Sequence, residues 1–211
     1  MHLKADFPFM RSRRIELGGV QCLALRVSFT GDLGWELHCA TEDQERLYRA
    51  LIAAGRDFGG GPVGARALMS LRIEKGYGSW SREYSPEYWP QEVGLDRLCK
   101  MDKDFLNKGA VAQTLANAAR EHMVLLALDE RDVTASNADA TGGEPIFKDG
   151  QGIGRVTSGT YGYSVGMSLA LGFVKNVAPG DMVEVMVLGK PHRARILSEP
   201  PFDPSGALLR Q

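Results

Sequence analysis

The chain has 211 residues, enough for one large domain or two small ones, and 44% of them are hydrophobic, which supports a real core. Its formal net charge of -1 argues against a nucleic-acid-binding protein, because such a protein needs a basic surface. The sequence has no apolar run of about 18 residues, so we expect no transmembrane helix and no membrane partner.

The cysteines and the N-terminus indicate the compartment. Cys22, Cys39 and Cys99 are an odd, widely spaced set that fits neither a disulfide framework nor a metal site. Met1–Asp6 lacks the apolar stretch of a signal peptide. We therefore expect a reducing, cytoplasmic environment.

The first part of the chain predicts a small antiparallel sheet. Ile15–Leu17 and Val20–Phe29 flank Gly18-Gly19, which is typical of a tight hairpin turn. Gly34–Ala40 then alternates in the manner of a strand. Its predicted buried face carries Trp35, Leu37 and Cys39, and its open face carries Glu36 and His38.

Three helices follow this strand. The first is predicted over Glu42–Gly55, with Gly55 as its C-terminal cap. Its inner face is predicted to carry Leu47, Leu51 and Ile52. The second runs from about Gly64 to Lys75, an ordered loop covers Ser79–Gln91, and the third helix runs from about Asn107 to Arg120.

From His122 onward the pattern predicts six strands separated by short turns. Strands at such short intervals favour a small β-barrel. The fold class is therefore α+β, an antiparallel sheet with helices followed by a C-terminal β-barrel. We place the domain boundary near residue 120, giving domains of 1–120 and 121–211. The predicted strands are Met123–Leu128, Glu144–Phe147, Gly152–Thr157, Leu169–Val174, Met182–Leu188 and His192–Leu197.

No standard catalytic or metal-binding set emerges from the residues. Gly59, Gly61 and Gly64 match G-x-G-x-x-G, but they follow a helix rather than a strand, so a dinucleotide site is not indicated. The four histidines are scattered without metal-ligand spacing. From the residues alone, Glu36 on the open strand face meets either water or a ligand, and water is the commoner case.

Phe29-Thr30-Gly31-Asp32-Leu33-Gly34-Trp35-Glu36 resembles the folate-site signature of the glycine-cleavage aminomethyltransferase (T-protein) family. The likeness is strongest to the branch fused to dimethylglycine and sarcosine dehydrogenases. In that family the glutamate binds the pterin ring of tetrahydrofolate, so the resemblance implies this role for Glu36. A carboxylate can accept two parallel N–H bonds from such a ring edge. Phe29 stands where the family often has tyrosine, so a phenolic hydroxyl is missing.

Gly64-Ala65-Arg66, continued by Leu71-Arg72-Ile73-Glu74, is a second block that resembles the family. There the arginine of Gly-Ala-Arg faces the anionic tail of the folate, which implies Arg66 here. Arg66 and Arg72 lie about 120° apart around a straight helix, so both cannot point into one small pocket. Arg72 is therefore interpreted as structural.

Glu74–Glu83 and Glu87–Leu95 resemble the dehydrogenase-fused branch in particular. Tyr77 and Trp80 are the candidate aromatic residues of this block. They either stack on the pterin or its benzoyl group, or plug the junction between the two domains. The Arg155–Gly172 block resembles the C-terminal barrel of the same branch and is assigned a structural role.

The resemblance implies a function for this chain as the tetrahydrofolate-binding portion of a one-carbon-transfer enzyme, which in intact relatives forms 5,10-methylene-tetrahydrofolate. The family's catalytic aspartate belongs to an earlier half-domain that the chain does not match, so no residue here inherits that role. We expect little activity from the chain alone. FAD is expected only in a missing N-terminal domain or a partner.

The implied partners are folate, a flavoprotein domain or subunit, and a second copy of the chain. The alternative is a non-catalytic folate-binding or scaffold protein of the T-protein fold. One such branch carries a Lys-Gly-Cys motif, whereas this chain has Lys75-Gly76-Tyr77, which counts against that branch.

Overall fold

The structure, a computed structural model, describes residues 6–118, 120–129 and 139–211. It divides into two compact units. The first, which we call the signature unit, comprises Met1–Lys75 and Phe202–Gln211. The second, the barrel unit, comprises Gly76–Pro201. Each unit is described by itself below.

A three-stranded antiparallel sheet forms the centre of the signature unit. Strands β1 (Ser12–Leu17) and β2 (Val20–Leu25) form the predicted hairpin, and β3 (Glu36–His38) pairs with the other side of β2. Gly18 and Gly19 both have positive φ, the conformation that a two-residue hairpin turn requires. All three predicted segments are therefore confirmed as strands, with β2 and β3 shorter than expected.

Two helices complete the signature unit, and their predicted positions are close to those observed. Helix α1 spans Gln44–Gly55 and helix α2 spans Ala65–Glu74. Leu47 of α1 is buried with Val20 and Cys22 in a small core under the sheet. The apolar face of α1 thus closes one side of the sheet.

Three local predictions about this unit are wrong. Leu51 is exposed rather than on the inner face of α1. Trp35 precedes the first paired residue of β3 and is 36% exposed, and its ring lies 5.9 Å from the Arg26 guanidinium. The left-handed residue that ends the α1 region is Gly59 rather than Gly55, because a 3-10 turn, Arg56–Phe58, prolongs the helix.

A closed six-stranded barrel forms the core of the barrel unit. Its interior is filled by aliphatic side chains such as Leu126, Ile146 and Val185. Before the barrel, helix α3 spans Lys108–Ala116, shorter than predicted. The strands are β4 (His122–Leu128), β5 (Pro145–Lys148), β6 (Gln151–Gly162), β7 (Met167–Val174), β8 (Met182–Val187) and β9 (Lys190–Ile196). Around the barrel they follow the order β4-β7-β6-β5-β8-β9.

The predicted fold class is confirmed, with an antiparallel sheet, accompanying helices and a closed C-terminal barrel. The compact unit that holds the barrel also includes the loops and helix α3 from Gly76 onward. The domain boundary near residue 120 stays a prediction.

Candidate functional site

The loop between β2 and β3 carries the signature Phe29–Glu36, and its first glycine, Gly31, is needed there for two reasons. Gly31 has φ +91°, a conformation that side chains rarely adopt. A Cβ built there would lie 2.6 Å from Cδ of Lys75, the residue that follows α2. Thus the tip of the loop packs against the stem of Lys75, and only glycine leaves room for that approach.

The second glycine of the signature meets the backbone. A Cβ on Gly34 would lie 3.0 Å from the Val27 carbonyl oxygen. Around Gly31 the loop is closed by its own polar groups: the Gly31 N–H donates to Ser28 Oγ at 2.9 Å, and Thr30 Oγ1 donates to Asp32 Oδ2 at 3.2 Å. Asp32, the acid nearest to the motif glycines, therefore serves to close the turn.

Lys75 is held under the loop by a buried ion pair. Its Nζ lies 3.4 Å from Asp203 Oδ2 and also donates to the Asp203 backbone carbonyl. Burial raises the pKa of Asp203, but the N–H groups of Ala207 and Leu208 and the Lys75 ammonium outweigh it, so the pKa is lowered from 3.8. The carboxylate stays charged, and the lysine beneath Gly31 keeps its position.

Glu36 begins β3 with its carboxylate in the open. Its side chain is 57% exposed. Its backbone lies opposite Leu25 in the β2–β3 pairing. His38, two residues along on the same strand face, lies 3.6 Å from Glu36 Oε2. The prediction that Glu36 lies on the open face of this strand is confirmed. Phe29, in the loop before it, is half-buried.

The two arginines of helix α2 lie in different environments, in agreement with their angular separation. Arg66, in the first turn, is exposed, whereas Arg72, in the last turn, is fully buried. No hydrogen bond or ion pair joins Arg66 to Glu36 within the described part of the chain. Arg66 is thus available to a ligand, and its predicted role in folate binding stays a prediction.

Tyr77 and Trp80 lie in the barrel unit, on the segment that begins it. Tyr77 is half-buried, whereas the Trp80 side chain is 81% exposed. Neither the stacking role nor the junction role predicted for them is tested by these positions.

The segment that carries Trp80 is held by Glu83, a residue that sequence reasoning passed over. Glu83 is fully buried, and its Oε2 accepts the Ser79 N–H at 2.8 Å. Its Oε1 accepts the hydroxyls of Thr157 and Ser158 of β6, each at 2.6 Å. The sequence signal was weak: an acidic residue in an aromatic loop, with no hint of its partners.

Successive strand residues normally point to opposite faces, so two adjacent hydroxyls on one oxygen need an explanation. The β6–β7 pairing shifts register between Val156 and Ser158, which indicates a bulge at Thr157. A bulge turns one residue out of the regular alternation. It therefore brings Thr157 and Ser158 to the same carboxylate.

Two negative findings concern the described residues only. Among residues 6–118, 120–129 and 139–211, no helix is long and apolar enough to cross a membrane. In the same part of the chain, no cluster of three or more His, Cys, Asp or Glu side chains is arranged to hold a metal ion.

Comparison with known proteins identifies the class. Residues 2–103 match the family model described as the GCVT N-terminal domain. Residues 122–203 match the model of the glycine cleavage T-protein C-terminal barrel domain. The two matches follow one another along the chain and cover both the signature loop and the barrel. The chain belongs to the glycine-cleavage T-protein family.

Individual relatives agree with this assignment. Mitochondrial dimethylglycine dehydrogenase from Rattus norvegicus is 37% identical over 92% of the chain, and the match covers 22% of that protein. The aminomethyltransferase of Moorella thermoacetica is 32% identical over 93% of the chain and 53% of its own length. The chain thus spans about half of one relative and about a fifth of the other.

A solved structure confirms the fold. The crystal structure of glycine cleavage system aminomethyltransferase T from Bartonella henselae superposes with a TM-score of 0.78 over 95% of this chain. The sequence identity is 22%, and the match covers 54% of that protein. The similarity therefore extends through both the sheet and the barrel.

Proposed function

We propose that the signature unit binds a reduced folate through Glu36, as part of a one-carbon-transfer enzyme of the aminomethyltransferase or dimethylglycine/sarcosine dehydrogenase type. The observation that carries this proposal is the construction of the loop before Glu36. A Cβ would collide with Lys75 at Gly31 and would press tightly on the Val27 carbonyl at Gly34, so the loop has a defined shape. That loop delivers Glu36 to the strand end with its carboxylate exposed.

The donor set fits a reduced folate in two respects. The pterin ring presents neighbouring N–H groups, and an accessible carboxylate such as Glu36 accepts such a pair. The tail of folate is anionic, and the exposed guanidinium of Arg66 suits it. Tetrahydrofolate, when bound, supplies the nitrogen atoms that receive the one-carbon unit. Phe29 adds apolar surface, without the hydroxyl that the family often has there.

His38 is the side chain that competes with a ligand for Glu36. Its Nε2 lies 3.6 Å from the carboxylate, longer than a good hydrogen bond, and both side chains are more than half exposed. An ion pair of this kind contributes little in water. Displacing it therefore costs little, and Glu36 stays available to the pterin.

The activity of the whole protein is part of the proposal. The relatives named above are a dehydrogenase and an aminomethyltransferase, and the chain spans only part of each. We propose that the chain acts together with a further folate-domain segment and, in the dehydrogenase type, with a flavin domain or subunit. Tyr77 and Trp80 remain candidates for aromatic stacking in that setting.

Calorimetric titration of the purified chain with a stable reduced folate, 5-formyltetrahydrofolate, tests the proposal. We expect micromolar binding that weakens at least tenfold, about 1.4 kcal/mol, in Glu36→Gln. Glu16→Gln is the matched control, since Glu16 is an exposed strand glutamate of the same sheet. A folded chain that gives no heat, or equal weakening by both variants, would contradict the proposed site.

A further inference from the structure

The register of the sheet places two of the three cysteines opposite each other. Pairing between β2 and β3 runs from Leu25–Glu36 to Leu23–His38. Cys22 precedes Leu23 in the chain, and Cys39 follows His38. Both side chains belong to the same small core, so they lie on one face of the sheet.

The hydrogen-bond parity of the hairpin shows which kind of pair this is. Leu17 and Val20 face each other across the two-residue Gly18-Gly19 turn. In such a hairpin the two residues that flank the turn form a hydrogen-bonded pair. Along the central strand, successive residues then direct their backbone N–H and C=O groups alternately to one neighbouring strand and to the other. Val20 and Cys22 therefore direct their backbone groups toward β1, and Leu23 directs its groups toward β3.

It follows that Cys22 and Cys39 oppose each other at a non-hydrogen-bonded position. The Cα atoms of such pairs are about 4.5 Å apart. Disulfides span Cα separations of roughly 4.4–6.8 Å. Continued by one residue beyond Leu23–His38, the register thus gives Cys22 and Cys39 a spacing within the range of a disulfide.

The two thiols differ in access. Cys22 is 3% exposed, and its Sγ lies 3.5 Å from the Val20 carbonyl oxygen. Cys39 is half-buried and lines a surface groove with Tyr48 and Leu51 of α1. Burial, together with the nearby Cys39 and Asp43, raises the pKa of the Cys22 thiol. A small oxidant in the groove therefore meets Cys39 first.

We propose that Cys22 and Cys39 form a reversible intramolecular disulfide when a peroxide reaches the groove. Cys39 sulfur attacks one oxygen of hydrogen peroxide and the O–O bond breaks. Cys39 becomes a sulfenic acid, and the other oxygen leaves as water. Cys22 sulfur then attacks Cys39 sulfur, the S–O bond breaks, and a second water leaves. Two thiols lose two protons and two electrons, and hydrogen peroxide gains them as two waters.

The bond would enclose the signature loop. Phe29–Glu36 lies between the two cysteines in the chain, so the link closes this segment at the base of β2 and β3. Cross-linking removes conformations that the reduced chain can reach when the strands separate. The proposal does not depend on folate binding.

Peptide mapping of the native, full chain tests it. Trypsin cuts after Arg26, so Cys22 leaves in peptide 15–26 and Cys39 in peptide 27–46. After brief treatment with hydrogen peroxide and alkylation in denaturant, we expect these two peptides linked. Cys99 should stay alkylated, and dithiothreitol should restore both thiols. In urea, links that include Cys99 should also appear, because the native register is gone.

Two variants separate this bond from general oxidation. Cys99→Ser should form the link as the parent does. In Cys39→Ser, Cys22 should remain a thiol, since it is almost inaccessible to the oxidant. The proposal is overturned if native Cys39 is driven to the sulfinic acid while Cys22 stays free. It is also overturned if native and urea-treated samples give the same mixture of links.

Discussion

At the scale of single residues, the signature loop owes its shape to contacts that its glycines permit. Gly31 needs both its left-handed backbone and its missing side chain, since Lys75 occupies the space. Lys75 is held in turn by Asp203, which lies far along the chain. The motif thus has a structural reason for each glycine, and the carboxylate of Glu36 lies exposed.

Replacement of Gly31 by alanine tests this account. Gly31→Ala should lower the free energy of unfolding by about 1–3 kcal/mol, because the backbone is strained and the new Cβ meets Lys75. Gly61→Ala is the control, since a Cβ there meets nothing and its φ is not positive. Urea unfolding of both variants should show a loss for Gly31→Ala and no loss for Gly61→Ala. Equal midpoints would contradict the account.

At the scale of elements, one carboxylate ties a loop to a strand of the barrel. Glu83 receives a backbone N–H from its own loop and two hydroxyls from the bulge of β6. Buried carboxylates are tolerated when their oxygens are satisfied by good donors. The loop of Ser79–Tyr84, including exposed Trp80, is therefore fixed to the barrel rather than free.

Glu83→Ala should release this loop and destabilise the barrel unit by about 3 kcal/mol or more, because the buried Ser79 N–H and Ser158 hydroxyl lose their acceptor. Hydrogen exchange read by mass spectrometry should show faster exchange over residues 79–84 and at Thr157. Glu87→Ala removes an exposed carboxylate from the same segment and should leave exchange unchanged. If both variants behaved alike, Glu83 would not be the anchor.

At the scale of the molecule, each compact unit has its own core, and acid should act strongly on the barrel unit. Glu92 is buried there and accepts hydrogen bonds from Arg120 Nε at 2.8 Å and from the Trp89 N–H at 2.8 Å. The side-chain bonds from Arg120 outweigh burial and hold the pKa of Glu92 at about 2, below its ordinary 4.5.

The sign of the pH effect follows from this lowered pKa. Glu92 takes up its proton near pH 4.5 in the unfolded chain and near pH 2 in the folded chain. Its contribution to the free energy of unfolding is therefore fully present above pH 4.5 and is lost as the pH falls toward 2. Arg120→Met should remove much of that slope in the urea midpoint, with its largest effect at neutral pH. Arg97→Met, at an exposed arginine nearby, should keep the parental slope. Parallel curves for parent and Arg120→Met would contradict this.

The sequence by itself determined the class of this protein, its elements and the exposure of Glu36. Alternation along the sequence indicates which face of a strand is buried, and turn glycines indicate where a strand ends. The β1–β2 hairpin and the barrel strands could be predicted from these two local signals. The signature was sufficient for the family. Errors occurred where a local pattern was overridden, as at Trp35, which lies outside the paired part of β3 and is partly exposed beside Arg26.

The tertiary structure alone decided which distant residues meet. Lys75 with Asp203, and Glu83 with Thr157 and Ser158, are separated by long stretches of chain. The proposed link between Cys22 and Cys39 likewise rests on the register of three strands. Periodicity shows that a side chain is covered, but not what covers it, because the partner is set by how the chain folds back on itself.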